Sequence, residues 1–480
     1  MRGCRPVPTT ARIAAAVTAD SLPTRSTADW RALDAAHSLH PFTDYKALAA
    51  EGSRIITRAD GCSLWDSEGT EILDGMAGLW CVNVGYGRRE LVDAAARQMA
   101  ELPYYNLFFK TATPPAIELS RRLAEITPHG LDHVFFTNSG SEANDTVIRM
   151  VRQYWALEGR PERRVIIGRQ NGYHGSTVAA AAMGGMSAMH KQGGPPLPDF
   201  HHIREPHHFK YAHDQDPEVF GLEAARWLDE AIQAIGPGRV AAFIAEPVQG
   251  AGGLIVPPPG YWAEIQRICV HHDVLLIADE VICGFGRTGQ WFGSQTFGIR
   301  PDIMTLAKGL SSGYLPIAAV MVGQRVARTL FDKGGEFVHG FTYSGHPTAC
   351  AVALETISIM DRERLVERVR EDVGPYLMER LGTLRDHPLV GEVRGRGLMA
   401  GVELIRDRAS HAFFSPAGKV GTRCRDHCFN ANVIIRAVAD TMILSPPLVI
   451  SRAQIDRLVS ALAEALDRTQ RDLPDLDLAP

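Results

Sequence analysis

Between residues 163 and 323 the chain carries five short apolar runs, RRVIIG, RVAAFIAEP, VLLIADEV, PDIMTLA and LPIAAVMVG. Each is a continuous block of β-branched and aliphatic residues and not an alternating one. A strand of that kind must be covered on both faces, and a parallel sheet between helix layers provides such cover. An earlier run, VFFT (134–137), leads through NSGSE into a segment whose Val147, Ile148, Val151, Tyr154 and Trp155 follow the helical period. Helical stretches such as YWAEIQRICVHH separate some of the runs. The expected fold is α/β, with a mostly parallel central sheet and helices on both faces.

After GFTYSGHP the pattern changes. Two amphipathic helices (about 348 to 385) precede GEVRGRGLMAGVEL, a further helix, the strands VIIR and TMILS, and a last helix from Arg452. This C-terminal part reads as a smaller α+β domain, expected to pack with residues 40–75. The expected divisions are an N-terminal extension (1–29), the first part of the small domain (30–75), a large domain (76–345) and the rest of the small domain (346–475).

Composition narrows the functions. The 480 residues carry a formal net charge of -5, with no basic excess for nucleic acid or an anionic membrane. The richest apolar stretch, VAAAAMGGMSAM, is glycine-broken and far short of the roughly 20 residues that span a bilayer. Eight scattered cysteines without a secretory signal read as reduced thiols in a cytoplasmic protein. Cys424 and Cys428 flank His427 at a spacing that suits a metal pair or, the reading preferred here, one face of a helix. MRGCRPVPTTARIAAAVTAD has three arginines and no acid before Asp20. A transit peptide has that composition, but a simple extension accounts for it equally and is the reading taken.

Chemistry in such a fold belongs at the carboxyl ends of the strands. In TNSGSEAND, Ser139, Gly140 and Ser141 open a helix, where backbone N–H groups suit a phosphate; a plain helix cap has the same look. Asp279 and Glu280 end an apolar strand, as in the Mg-binding strand of P-loop ATPases. That reading needs GxxxxGK[ST], and the one Gly-Lys pair, Gly418-Lys419, precedes Val420. Tyr173 and His174 sit between glycines, where an aromatic ring can stack on a planar ligand or pack on the core. HHIREPHHFKYAH holds five histidines without ligand spacing and reads as a loop. Lys308 is the one charged residue between Asp302 and Gly323. Desolvation there lowers a lysine's pKa and leaves a nucleophilic amine.

In this order, TNSGSEAND, QNGYHGST, AEPVQGAGG, LLIADEVICGFGRTG, PDIMTLAKGLSSG and GFTYSGHP resemble the class III aminotransferases of the fold-type I pyridoxal 5′-phosphate (PLP) group. The likeness runs from about residue 30 to 470 and is nearest to the ω-transaminases that move an amine group onto pyruvate. It includes the twenty-nine residues from Asp279 to Lys308. The resemblance implies that Lys308 forms the imine with the cofactor aldehyde and that Asp279 keeps the pyridine nitrogen protonated. It implies that Tyr173 stacks on the ring and Val281 packs beneath it. Ser139, Gly140 and Ser141 would hold the phosphate with Thr342 of a neighbouring subunit, and His174 and Glu246 would complete the cofactor set. Phe42, Trp80, Phe108 and Tyr173 match an aromatic substrate pocket, with Phe108 also contributed across a homodimer.

Ala251 stands where the α-ketoglutarate branch has a glutamate that masks a substrate arginine. Arg436, at the end of VIIR, matches an arginine that grips the acceptor's carboxylate and withdraws for an uncharged donor. The implied partners are an amine, diamine or ω-amino acid and a keto acid, with no resident metal. Racemases, aminomutases and decarboxylases of the same class are the alternative outcomes.

Overall fold

The computed structural model describes residues 25–192 and 197–478, so most of the extension expected over 1–29, with Cys4, lies outside the described residues. The chain divides into two compact units: residues up to Arg58 with Leu64–Ile72, and Ala59–Ser63 with everything from Leu73. In the smaller unit, helix Thr27–His37 starts at a reciprocal cap between Ser26 and Asp29. Asp44 caps a second helix, Tyr45–Glu51, through the N–H groups of Lys46 and Ala47. Arg58 lies over the Trp65 ring at 3.7 Å.

The larger unit is built on a seven-stranded sheet in the order Leu131–Thr137, Ala318–Gly323, Ile303–Leu306, Leu275–Asp279, Val240–Ala245, Val165–Arg169 and Phe200–Ile203. Ala318–Gly323 runs against both of its neighbours, and every other pairing of adjacent strands is parallel. The continuous apolar runs are explained by the pleat, because successive side chains face opposite ways. Ile166, Ile244 and Ile277 join Val147, Val151 and Trp155 of helix Gly140–Leu157. Ile167, Phe243 and Leu276 join the helices Pro217–Ile235 and Tyr261–His271 on the other face. Each large apolar side chain buried this way contributes about 1.5–3 kcal/mol, which is why the charged residues of the central strands, Arg169 and Asp279, stand at strand ends.

Register brings those ends together. Asp279 pairs with Thr305, Ala278 with Ala245, and Leu306 and Thr137 lie beside Ala319 and Ala318. The segments that follow Thr137, Arg169, Ala245, Asp279 and Leu306 therefore leave from one edge.

The C-terminal part adds an antiparallel sheet in the order Val390–Arg396, Met399–Leu404, Thr441–Leu444 and Arg436–Val438. Helix Pro347–Arg362 packs on Arg89–Glu101 and Pro114–Ile126, so segments from both sides of residue 345 share a core. Cys424 and Cys428 are buried on one face of helix Lys419–Asn430.

Three local expectations need correction. The second amphipathic helix is interrupted: Leu365–Arg368 passes into a π-turn, Val369–Val373, before Gly374–Gly382. Pro375 lacks an N–H and crowds the preceding turn, which widens to let Gly374 N–H reach Val369 O. VIIR is not one strand. Val433–Ile434 pairs in parallel with Leu73–Asp74, the chain turns at buried Ile435, and Arg436 begins the next strand opposite Ile443. The histidine-rich segment is not a loop either, because Phe200–Ile203 forms the sheet's edge and His208–Ala212 is a helix. An edge strand needs backbone bonds on one side alone, so it carries a weaker apolar signal.

Gly221 lets helix Pro217–Ile235 approach the Pro259 carbonyl: a Cβ there would lie 2.0 Å from that oxygen. Gly221→Ala is expected to destabilise the protein by about 1–3 kcal/mol, measured by denaturant unfolding, while leaving the distant strand-end site unchanged.

Candidate active site

At the common edge lies a pocket enclosing ≈ 450 Å³, part of it open to solvent. Gly140, Ser141, Tyr173, His174, Glu246, Asp279, Val281 and Lys308 line it, residues that the ends of strands Leu131–Thr137, Val165–Arg169, Val240–Ala245, Leu275–Asp279 and Ile303–Leu306 deliver to one place. Asn144, Gly175, Ile282 and Ala307 complete the lining.

Asp279 forms its floor. Burial opposes its charge, but His174 Nδ1–H (2.7 Å) and Asn144 Nδ2–H (2.9 Å) donate to Oδ2, and Val281 N–H (3.1 Å) donates to Oδ1. These donors and the adjacent imidazole hold the carboxyl below the ordinary aspartate value despite burial. Asn144 also donates to the His174 carbonyl at 2.7 Å, so one amide fixes both partners. Sequence reasoning missed Asn144 as a site residue. The available signal was its place one helical turn beyond Gly140, on the same face.

Lys308 follows strand Ile303–Leu306 at φ 48 and opens the short 3-10 turn Lys308–Leu310. Burial lowers its pKa, a shift that the nearby Cys81, Asp279 and Glu246 partly offset. Among the described residues no hydrogen-bond partner or ion pair engages its Nζ.

Tyr173 sits on a loop pinned at both ends. Its N–H donates to Glu246 Oε1 (3.1 Å), and Ser176 N–H donates to Ser141 Oγ (3.0 Å). Glu246 takes a second bond from Gly250 N–H (2.9 Å), and burial raises its pKa. Both carboxyl oxygens thus brace backbone. Gly175, at φ 139, permits the loop's approach: a Cβ there would lie 2.7 Å from Ser141 Oγ. Ser139 is exposed, and its hydroxyl caps the helix through Glu142 N–H (3.2 Å), so Gly140 and Ser141 face the pocket and Ser139 does not line it.

Beside this pocket, Asp74 accepts from Met76 N–H, Gly78 N–H and Tyr86 OH at 2.6–2.8 Å and shapes the turn that buries Trp80. The Arg436 guanidinium lies 5.3 Å from the Trp80 ring centroid. Burial lowers its pKa, and among the described residues it has no hydrogen-bond or carboxylate partner. Ala251 is buried in the loop after Glu246. Phe108 and Thr342 do not line the pocket of their own chain. Phe108 packs on Gly340, and Tyr104 OH donates to the Thr342 carbonyl at 2.7 Å. Phe42 belongs to the smaller unit, at φ 49 and exposed.

The donor set fits PLP. An 18-residue helix presents its N-terminus at Gly140 and Ser141, a charged carboxylate lies on the floor, an unpartnered lysine stands at the wall, and Tyr173 flanks the space. Gly140 also lies against Val281, whose methyl groups would be 3.1 Å from a Cβ there. A phosphate, a protonated ring nitrogen and an aldehyde would each meet a group of matching chemistry.

The profile of the aminotransferase class-III family matches residues 47–466. The putrescine–pyruvate aminotransferase of Pseudomonas aeruginosa is 57% identical over 443 residues, covering 92% of this chain and 97% of its own. An (S)-enantioselective omega-transaminase of Thermomicrobium roseum superposes with a TM-score of 0.90 at 45% identity, covering 93% of this chain and 99% of its own. The omega-transaminase of Pseudomonas jessenii, solved in complex with PMP, gives 0.90 at 44% identity, covering 92% and 98%.

Glu280, next to Asp279, points away from the pocket and accepts from Gly293 and Ser294 N–H. Burial pushes its carboxyl up to about 7 from 4.5. A raised acid contributes stability below its unfolded pKa that is lost as pH rises through the folded value. Glu280→Gln cannot ionise and should gain on the parent by about 3 kcal/mol between pH 4.5 and 8, above a constant cost for the lost acceptor. Parallel pH–stability curves for the two proteins would refute this.

Proposed function

The chain belongs to the class III aminotransferases, PLP-dependent enzymes, and on that premise we propose that it moves an amino group from an amine, diamine or ω-amino acid to pyruvate. The observation that carries this reading is the pairing of an unpartnered Lys308 with a doubly braced Asp279 in one pocket. Bound there, PLP would supply the electron sink through which the amino group and a proton are exchanged.

The chain's own residues supply the rest. Lys308 would hold the cofactor and, as the general base and acid, would take and return the proton at Nζ, for which a depressed pKa is suited. Asp279 keeps the ring nitrogen protonated, and His174 and Asn144 keep Asp279 charged and aimed. Gly140 and Ser141 would hold the phosphate, and Tyr173 and Val281 would flank the ring.

Acceptor choice rests on Arg436. A partly buried guanidinium with no acidic partner is a receptor for a carboxylate, and its fork binds one bidentately. Ala251 brings no glutamate to mask it, and Trp80 offers an apolar face for an uncharged donor. The relative that acts on putrescine and pyruvate supports the same pairing. Phe108 and Thr342, with exposed Tyr105, Phe109 and Tyr343 near them in the chain, support a homodimer that shares its sites. Among the described residues no helix is long and apolar enough to cross a membrane. A cytoplasmic location is part of this reading.

Lys308→Ala should abolish turnover, and borohydride should fix the cofactor to Lys308, as read by peptide mass spectrometry. Wild-type rates in that variant would remove the whole scheme. Formation of one alanine per carbonyl product separates transamination from racemase, aminomutase or decarboxylase outcomes. Arg436→Ala should raise the KM for pyruvate about 10- to 100-fold, the loss of a charged bidentate contact, and change that of an uncharged amine little. Equal effects on both would remove Arg436 from the account.

A further inference from the structure

Arg287 is an unusual cation. Its side chain is fully buried in the GFGRTG loop, and among the described residues no carboxylate pairs with it. Its Nη1–H donates to the Pro446 carbonyl, its Nη2–H to Asn83 Oδ1 (2.6 Å), and its Nε has no partner. Burial lowers its pKa to about 10. A charge held at such cost, away from any ligand, calls for a use.

The contacts of Asn83 supply one. With its oxygen held by Arg287, its Nδ2–H donates to the Phe285 carbonyl at 2.7 Å. The same nitrogen sits against Gly309, where a Cβ would be 2.6 Å from it and 3.0 Å from Phe285 Cβ. Val84 N–H donates to Ser312 Oγ (3.0 Å), so the Asn83–Val84 segment touches the Lys308 turn at two points. That turn holds two non-glycine residues, Lys308 (φ 48) and Ser312 (φ 53), in the left-handed region, a setting that persists where surroundings enforce it.

We propose that Arg287 and Asn83 are positioning residues for Lys308: the guanidinium orients the amide, and the amide seats Gly309 so that the lysine is presented from one backbone setting. An amide is required there, because it accepts from Arg287 and donates to the Phe285 carbonyl at once, which holds its nitrogen against Gly309. An apolar residue would leave Nη2 without its acceptor, and a carboxylate could not donate to the Phe285 carbonyl. This rests on Lys308 as the cofactor lysine.

The test uses full-length holoenzyme at saturating cofactor. The titratable or charged groups around Lys308 are Asp279, Glu246, Cys81 and Arg436, all left unchanged by the variants. Arg287→Lys keeps the charge and loses the fork. It should lower kcat tenfold or more, since about 1 Å of misplacement can cost 10²-fold, with both substrates' KM within about twofold. Asn83→Asp forms an ion pair with Arg287 and so retains a partnered interior. Its added negative charge against Gly309 favours the protonated nitrogen at Lys308. The pH midpoint of the bound cofactor's visible band should therefore move to higher pH, and kcat should fall. Wild-type kcat and an unmoved midpoint in Asn83→Asp, with only the melting temperature altered, would overturn the proposal and leave a structural role. If Arg287→Lys does not fold, Asn83→Asp decides alone. Active Lys308→Ala would instead sink the underlying lysine assignment, so the two failures are distinguishable.

Discussion

A carboxylate at the bottom of an apolar sheet edge sets the terms for the rest of this site. Left alone there, Asp279 would take up a proton, because burial penalises its charge. Three donors prevent that, and each arrives by a different route: Asn144 from a helix, His174 from the loop after strand Val165–Arg169, and Val281 from Asp279's own turn. The helix must therefore begin where it does, and the Tyr173–His174 loop must lie flat against it. Gly175 allows that approach, and Glu246 fastens the loop from below.

The same economy governs the other buried charges. Glu246 and Glu280 are spent on backbone N–H groups and, among the described residues, stay out of ion pairs, and burial raises both. Arg394 is buried with Glu403 at 2.7 Å and donates to the carbonyls of Gly253 and Leu254, fastening the loop that carries Ala251. Lys308 and Arg436 differ from these: the protein supplies neither with a hydrogen-bonded partner among the described residues. In a well-packed interior, where polar groups are satisfied as a rule, these two cations are the exceptions.

Much of this was legible in the chain. Continuous apolar runs announced strands covered on both faces, and Val147, Val151 and Trp155 marked the covering helix. The motif order pointed to the residues at the strand ends. The weaker passages were those where tertiary partners override local pattern. Phe200–Ile203 is a strand because one neighbour supplies its bonds, and VIIR breaks because its halves find partners in different sheets. Pro375 could have warned of the π-turn, yet a proline near a helix start is usually harmless.

What the sequence determined by itself was the class of fold and the candidate groups at the strand ends, since hydrophobic period and the expense of burying a lone charge are properties readable residue by residue. What only the tertiary structure decided was how those groups are held: that Asn144 clamps His174 to Asp279, that Arg436 rests on Trp80, and that Asn83 lies between Arg287 and Gly309. Those contacts join residues far apart in the chain, as Trp80 and Arg436 are. Their geometry depends on strand register and loop approach, which no local pattern encodes.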